Sequence, residues 1–146
     1  MTSPLVINSF SGKYGFLSNF YPCVVTFEGK SYPSTEHAFQ AAKTYNPIER
    51  NLIALAKTPA DAKKLGRKAQ LRPDWEQVKD DVMRELLWQK FQITEMRYRL
   101  LDTGDAELIE GNHWNDTYWG VCDGKGANRL GQLLMEVRGL LPPSLL

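Results

Sequence analysis

Glu36, Gln40 and Lys43 stand at i, i+4 and i+7 in the segment Ser34-Thr35-Glu36-His37-Ala38-Phe39-Gln40-Ala41-Ala42-Lys43, so a helix puts all three on one face. A carboxylate and an amine two turns apart are the parts of acid-base or amine-nucleophile chemistry. The plain alternative is a solvated stripe whose exposed charge pair is worth ~0.3 to 0.5 kcal/mol. A second constellation is Gly111-Asn112-His113-Trp114-Asn115-Asp116-Thr117-Tyr118-Trp119-Gly120. Aromatic faces there suit stacking on a planar base or walling a sugar ring, and the Asn and Asp side chains supply hydrogen bonds and a carboxylate. Its alternative is an aromatic minicore held by Asx turns.

Three further features bear on ligands. Gly12-Lys13-Tyr14-Gly15-Phe16-Leu17-Ser18-Asn19-Phe20-Tyr21-Pro22 again mixes Gly, Asn and aromatics, either as a rim or as a surface turn with core anchors. Lys63, Lys64, Arg67, Lys68 and Arg72 form a basic cluster, which reads as a solvated helix face or as a phosphate contact. His37 and His113 with Cys23 and Cys122 lack HxxxH or CxxC spacing, so no metal is expected. Glycine-rich phosphate loops of the Walker or dinucleotide type are absent, which removes ATP hydrolysis and Rossmann redox chemistry.

The elements that must position these groups are legible in outline. Leu5 to Asn8 is a short apolar run, and Cys23-Val24-Val25-Thr26-Phe27, then Glu28-Gly29-Lys30 and Ser31-Tyr32, reads as a hairpin. Ser34 is a helix N-cap with Glu36 in the first turn, giving a helix over about 35–45. Asn46-Pro47 and Thr58-Pro59 each place a capping residue before proline at the first helical position, so helices are expected near 47–57 and 59–69. Val78, Val82, Leu86 and Phe91 follow helical spacing between Trp75 and Phe91, and Thr94 to Leu101 adds another turn or two. A short strand is expected at Tyr118 to Cys122. A last helix runs from Asn128 to Leu140, ended by Pro142-Pro143. The class is α+β, mainly helical, with a small antiparallel sheet.

A chain of 146 residues fits one domain, taken as 1–146, without disulfide or metal staples. Its net charge of +1 argues against holding nucleic acid or anionic lipid by bulk charge, so any polyanion must be met locally. No apolar run reaches the ~18 residues of a membrane helix, and the start, Met-Thr-Ser-Pro-Leu-Val-Ile-Asn, lacks the charged and apolar regions of a signal peptide. A cytoplasmic protein without a membrane partner is expected, with Cys23 and Cys122 as small buried hydrophobes in place of a bridge.

Five blocks, Phe16-Leu17-Ser18-Asn19-Phe20-Tyr21-Pro22, Thr35-Glu36-His37-Ala38-Phe39-Gln40-Ala41-Ala42-Lys43, Gly66-Arg67 with Arg72-Pro73-Asp74-Trp75, Gly111 to Gly120, and Gly126-Ala127-Asn128-Arg129-Leu130-Gly131, are similar in order to those of the NADAR family, also called YbiA-like. The resemblance spans nearly the whole chain. It implies a compact, mainly helical fold and cleavage of N-glycosidic bonds to ribose. Two substrate classes go with it: phosphorylated ribosylamino-pyrimidine intermediates of riboflavin synthesis, and ADP-ribose joined to the amino group of guanine in nucleic acid. Both are N-ribosides of an exocyclic amine, and no cofactor is expected.

Breaking such a bond needs a carboxylate near the ribose carbon and an acid near the departing nitrogen, for which Glu36 and Asp116 are the candidates. A ring-opened ribosylamine is an imine that Lys43 would exchange into a Schiff base if its pKa is lowered. Trp114 and Trp119 would stack on the base or wall the sugar. Asn19 and Phe20 would complete the rim, Asn128 would bond ribose or base, and Arg67 would meet the phosphate. The competing class is a noncatalytic module that binds ADP-ribose or a nucleotide, which needs the aromatics and Arg67 but not Glu36, Lys43 and Asp116 together.

Overall fold

The structure, a computed structural model, describes residues 5–142. Met1 to Pro4 and Pro143, on which the reading of the start and part of the final stop signal fall, lie outside the described residues. In chain order the elements are β1 (Val6–Ile7), a 3-10 helix (Gly12–Leu17), β2 (Pro22–Phe27), β3 (Lys30–Ser34), α1 (Thr35–Ala42), α2 (Pro47–Ala54), α3 (Pro59–Lys68), α4 (Trp75–Lys90), α5 (Thr94–Asp102), β4 (Glu107–Leu108), β5 (Gly111–Asn112), β6 (Val121–Cys122) and α6 (Arg129–Leu140). The class is α+β and mainly helical, and no helix of the described residues is long and apolar enough to cross a membrane. Packing divides the chain into two units, Asn19–Lys90 and the remainder.

In Asn19–Lys90, β2 and β3 form the expected antiparallel hairpin, with Val25 opposite Tyr32 and Phe27 opposite Lys30. Glu28 and Gly29 both have positive φ, 48° and 82°, the pattern of a two-residue turn whose twist matches the flanking strands. Val25, Phe27 and Tyr32 alternate inward, and Ser34 ends β3 while capping α1 through its hydroxyl, which accepts from His37 N–H at 3.1 Å. All eight residues of α1 are buried, because α2, α3, α4 and the hairpin all pack on it. Ala38, Ala41 and Ala42 permit that close approach, and Phe39 meets Trp75 of α4 with ring centroids 5.0 Å apart. Asn46 and Thr58 cap α2 and α3 as expected. Helix α1 stops at Ala42, short of Tyr45, since Asn46 must be extended to cap α2 and Thr44 accepts its N–H at 3.0 Å.

The other unit, described over 5–18 and 91–142, holds two short parallel pairs in addition to its helices. β1 runs beside β4 with Ile7 opposite Leu108, and β5 runs beside β6 with Asn112 opposite Cys122. These are the departure from a purely antiparallel expectation. The strand expected at Tyr118 to Cys122 contracts to Val121–Cys122 because the N–H groups of Tyr118 and Trp119 turn back to the Asp116 carboxylate. α5 packs on the 3-10 helix, where the Arg99 guanidinium lies 5.7 Å from the Phe16 ring centroid. α6 lies on β4 so closely that a β-carbon at Gly131 would fall 2.0 Å from Leu108 O. Both cysteines carry free thiols, Cys122 buried and Cys23 half-exposed.

Candidate functional site

The stripe on α1 is not solvated. Glu36 is 8% exposed and Gln40 3%. Gln40 Nε2 donates to Glu36 Oε2 at 2.6 Å, a short bond to a charged acceptor. The Glu36 N–H donates to Asn19 O at 3.0 Å, which ties the start of this unit to the first turn of α1. Asn19 is itself buried, with Nδ2 on Met83 Sδ at 3.5 Å. Asn19 Oδ1, Thr35 Oγ1 and Gln40 Oε1 are buried without a hydrogen-bond partner. Such atoms are rare in native interiors, and three of them lie within one residue or one hydrogen bond of Glu36.

Lys43 follows α1 and is half-buried, its Nζ 5.9 Å from the Phe39 ring centroid. Burial lowers its pKa, Glu36 opposes that, and the positive charges of Lys63, Arg67 and Lys79 push it down further. Burial therefore wins the contest that spacing left open. The backbone at Lys43 is fixed by Arg72, whose N–H donates to Lys43 O at 2.7 Å and whose Nη1 reaches Ala42 O at 3.4 Å. Arg72 is held in turn by Asp74, which accepts from Arg72 Nε at 2.7 Å and from Tyr45 OH at 3.0 Å. The Arg72 bond is the first reason the Asp74 carboxyl sits at about 2. Arg72, counted in the basic cluster from sequence, is thus a clamp on α1. Arg67 remains exposed in the last turn of α3, and Phe20 is 42% exposed.

His37 is engaged at both ring nitrogens, Nδ1 with Ser34 Oγ at 2.6 Å and Nε2 with Ala56 O at 3.0 Å. A carbonyl only accepts, so Nε2 carries the proton and Nδ1 takes the serine hydroxyl. The ring links α1 to the end of α2. Among the described residues no group of three His, Cys, Asp or Glu side chains could hold a metal ion.

In the other unit, the segment after β5 is built on side-chain to backbone bonds. Asn112 Oδ1 accepts from Asp116 N at 3.1 Å, and Asn112 Nδ2 donates to Asp116 O and to Glu110 Oε2, both at 2.9 Å. Asp116 Oδ1 accepts from Tyr118 N at 3.2 Å and Trp119 N at 2.9 Å, an Asx turn that holds the loop. Trp119 is half-buried and edge-on to Tyr118, centroids 4.9 Å apart. Trp114 is 52% exposed and meets His113 edge-on. Gly120 fits only without a side chain, since a β-carbon there would lie 1.8 Å from Glu110 Oε2. Asn128 adopts φ 53°, ψ 43°, and its amide uses both ends on backbone, Oδ1 accepting from Glu110 N and Nδ2 donating to Leu108 O, each at 2.9 Å.

Of the residues expected from sequence, Asn19, Glu36 and Lys43 are gathered around α1, with Arg67 close enough to influence Lys43. Trp114, Asp116 and Trp119 share one loop, and Asn128 braces the strand that leads into it. Spacing in the sequence does not single out Gln40, Thr35 or Glu110 as site residues. Gln40 stood in the polar stripe, but nothing in the spacing said that this stripe is buried.

Residues 8–142 match the NADAR domain family. Over 134 residues the chain is 45% identical to N-glycosidase YbiA of Escherichia coli (strain K12), covering 89% of this chain and 83% of that protein. It is 40% identical over 142 residues to riboflavin biosynthesis protein VVA0006 of Vibrio vulnificus (strain YJ016), covering 94% of this chain but spanning only 38% of that protein's length. The NMR structure of the E. coli protein YbiA aligns with a TM-score of 0.82 at 41% identity, covering 95% of this chain and 86% of that one.

Proposed function

Because this chain belongs to the NADAR domain family, matched over 8–142, we propose that it is an N-glycosidase that hydrolyses the bond between ribose and an exocyclic amine, acting as one functional domain. The observation that carries the reading is the buried Glu36, held by Gln40, on the same helix face as a Lys43 whose amine is shifted toward its neutral form. A neutral amine attacks carbon; an ammonium does not.

In the proposed sequence the ribosylamine opens to an imine at the former glycosidic carbon. Lys43 Nζ adds to that carbon, and the carbon-nitrogen bond to the base breaks with its electron pair and a proton going to the departing amine. Water then hydrolyses the lysine Schiff base, releasing the sugar and restoring Lys43. Glu36 stabilises positive charge at the reacting carbon and relays protons. Asp116 is proposed as the acid for the leaving nitrogen, and the two backbone donors on one of its oxygens orient the carboxyl group. Trp114 and Trp119 offer ring faces to the base, Asn19 and Phe20 are proposed at the rim, and Arg67 meets phosphate. Asn128 is proposed to serve through the strand it braces.

The substrate is proposed to be a phosphorylated ribosylamino-pyrimidine or ADP-ribosylated guanine in nucleic acid. Free thiols at Cys23 and Cys122 suit a reducing compartment, and we place the enzyme in the cytoplasm. The test is Glu36→Gln, an isosteric change that keeps a hydrogen-bonding side chain. It should lower turnover at least ~100-fold while binding persists. Unchanged turnover would remove Glu36 from the chemistry, and tight binding without products in the wild type would favour the noncatalytic module.

A further inference from the structure

Gly66 lies in α3 directly against the side chain of Gln40. A β-carbon at position 66 would fall 1.9 Å from Gln40 Oε1, 2.8 Å from its Cδ and 2.9 Å from its Cβ. The first two distances are far inside contact, and they concern the amide, the one part of Gln40 that can move. The third is also too close for two β-carbons, and because Gln40 Cβ is fixed to α1 it is relieved only by moving the helices apart. A side chain at 66 therefore displaces the Gln40 amide most and presses on the α1–α3 contact as well.

That amide has a fixed orientation. A carboxylate only accepts, so the nitrogen faces Glu36 Oε2, 2.6 Å away, and the oxygen faces Gly66. The oxygen gains no hydrogen bond there. A buried acceptor left unsatisfied is a cost, and here it accompanies the donation of the amide N–H to Glu36. We infer that Gly66 and Gln40 are a positioning pair for Glu36, in which the bare α-carbon of Gly66 seats the Gln40 amide and the amide fixes one oxygen of the carboxylate. The inference rests on the proposed role of Glu36 at the reacting bond. It also gives the Gly66-Arg67 dipeptide two tasks in one turn of α3, seating the amide with the first residue and presenting a guanidinium with the second.

Gln40 donates to the charged carboxylate and so favours ionisation of Glu36; losing that bond moves its titration to higher pH. The experiment follows the Glu36 carboxyl by carbon-13 NMR in the full-length wild type, Gly66→Ala, Gln40→Ala and the double variant, which needs no substrate. The midpoint should rise in all three variants. Turnover on whichever substrate is cleaved should fall at least ~10-fold with KM little changed. The double variant should shift the midpoint no further than Gln40→Ala, because the amide that Gly66 seats is already gone. A Gly66→Ala protein that titrates and turns over like wild type, or a double variant whose midpoint shift is the sum of the singles, overturns the pair. If Gly66→Ala does not fold, Gln40→Ala must still shift the midpoint, and an unshifted midpoint there overturns the pair. An active Glu36→Gln enzyme would sink the functional reading instead, while the titration would still decide the pair.

Discussion

Lys90 ends α4 with none of its surface exposed, its Nζ 5.7 Å from the Tyr21 ring centroid. Burial pushes its amine down to about 7 from an ordinary 10.5, against the smaller opposing influence of Cys23. Between those values the unfolded chain binds a proton that the folded chain does not, so stability rises with pH across the window and is flat below it. The window of about 3.5 units corresponds to about 5 kcal/mol. Its share between pH 7 and pH 9 is about 2 kcal/mol. Lys90→Met keeps an unbranched apolar stem and removes the titrating group. Urea unfolding of both proteins at pH 7, 8 and 9 gives the two curves, with other titrations cancelling in the difference. Stability of the wild type relative to Lys90→Met should climb by about 2 kcal/mol over that range. Parallel curves would refute the argument and show that Lys90 is charged in the folded protein at pH 9.

Asp116→Asn retains the oxygen that accepts from Tyr118 and Trp119, so it should melt like wild type while turnover falls at least ~100-fold. Asp116→Ala should also lose about 1 kcal/mol of stability with the turn, and normal turnover in the Asn variant would leave Asp116 a turn residue only. Trp119→Ala should weaken ligand binding by ~1 to 3 kcal/mol in calorimetry; a lower melting temperature with unchanged affinity would mean that its ring serves the contact with Tyr118. Borohydride added during turnover should trap sugar on Lys43, read by peptide mass spectrometry, and Lys43→Arg should abolish trapping and activity. An active Lys43→Arg enzyme without adduct would favour direct hydrolysis assisted by Glu36 and Asp116.

Helix starts were legible because their signals are local. Ser34, Asn46 and Thr58 cap through bonds to N–H groups two or three residues on, and proline at the first helical position needs no partner elsewhere. Helix ends were less so, as α1 shows, where the cap of the next helix decides the stop. The burial of Glu36 and Gln40 was not legible, because spacing on one helix does not report what packs over it. The clamp role of Arg72 depends on Lys43 O, 29 residues earlier in the chain, and no local pattern announces such a pairing. The 111–120 segment was recognisable by composition, yet the same bonds that shape it, from Asn112 and Asp116, absorb part of the polarity that marked it out.

The most direct test is to incubate the full chain separately with a phosphorylated ribosylamino-pyrimidine and with DNA bearing ADP-ribosylated guanine, and to identify the products by mass. The account predicts that at least one substrate yields the free amine together with ribose phosphate or ADP-ribose, with the loss of that reaction in Glu36→Gln. Recovery of both substrates intact at enzyme concentrations that bind them would contradict it.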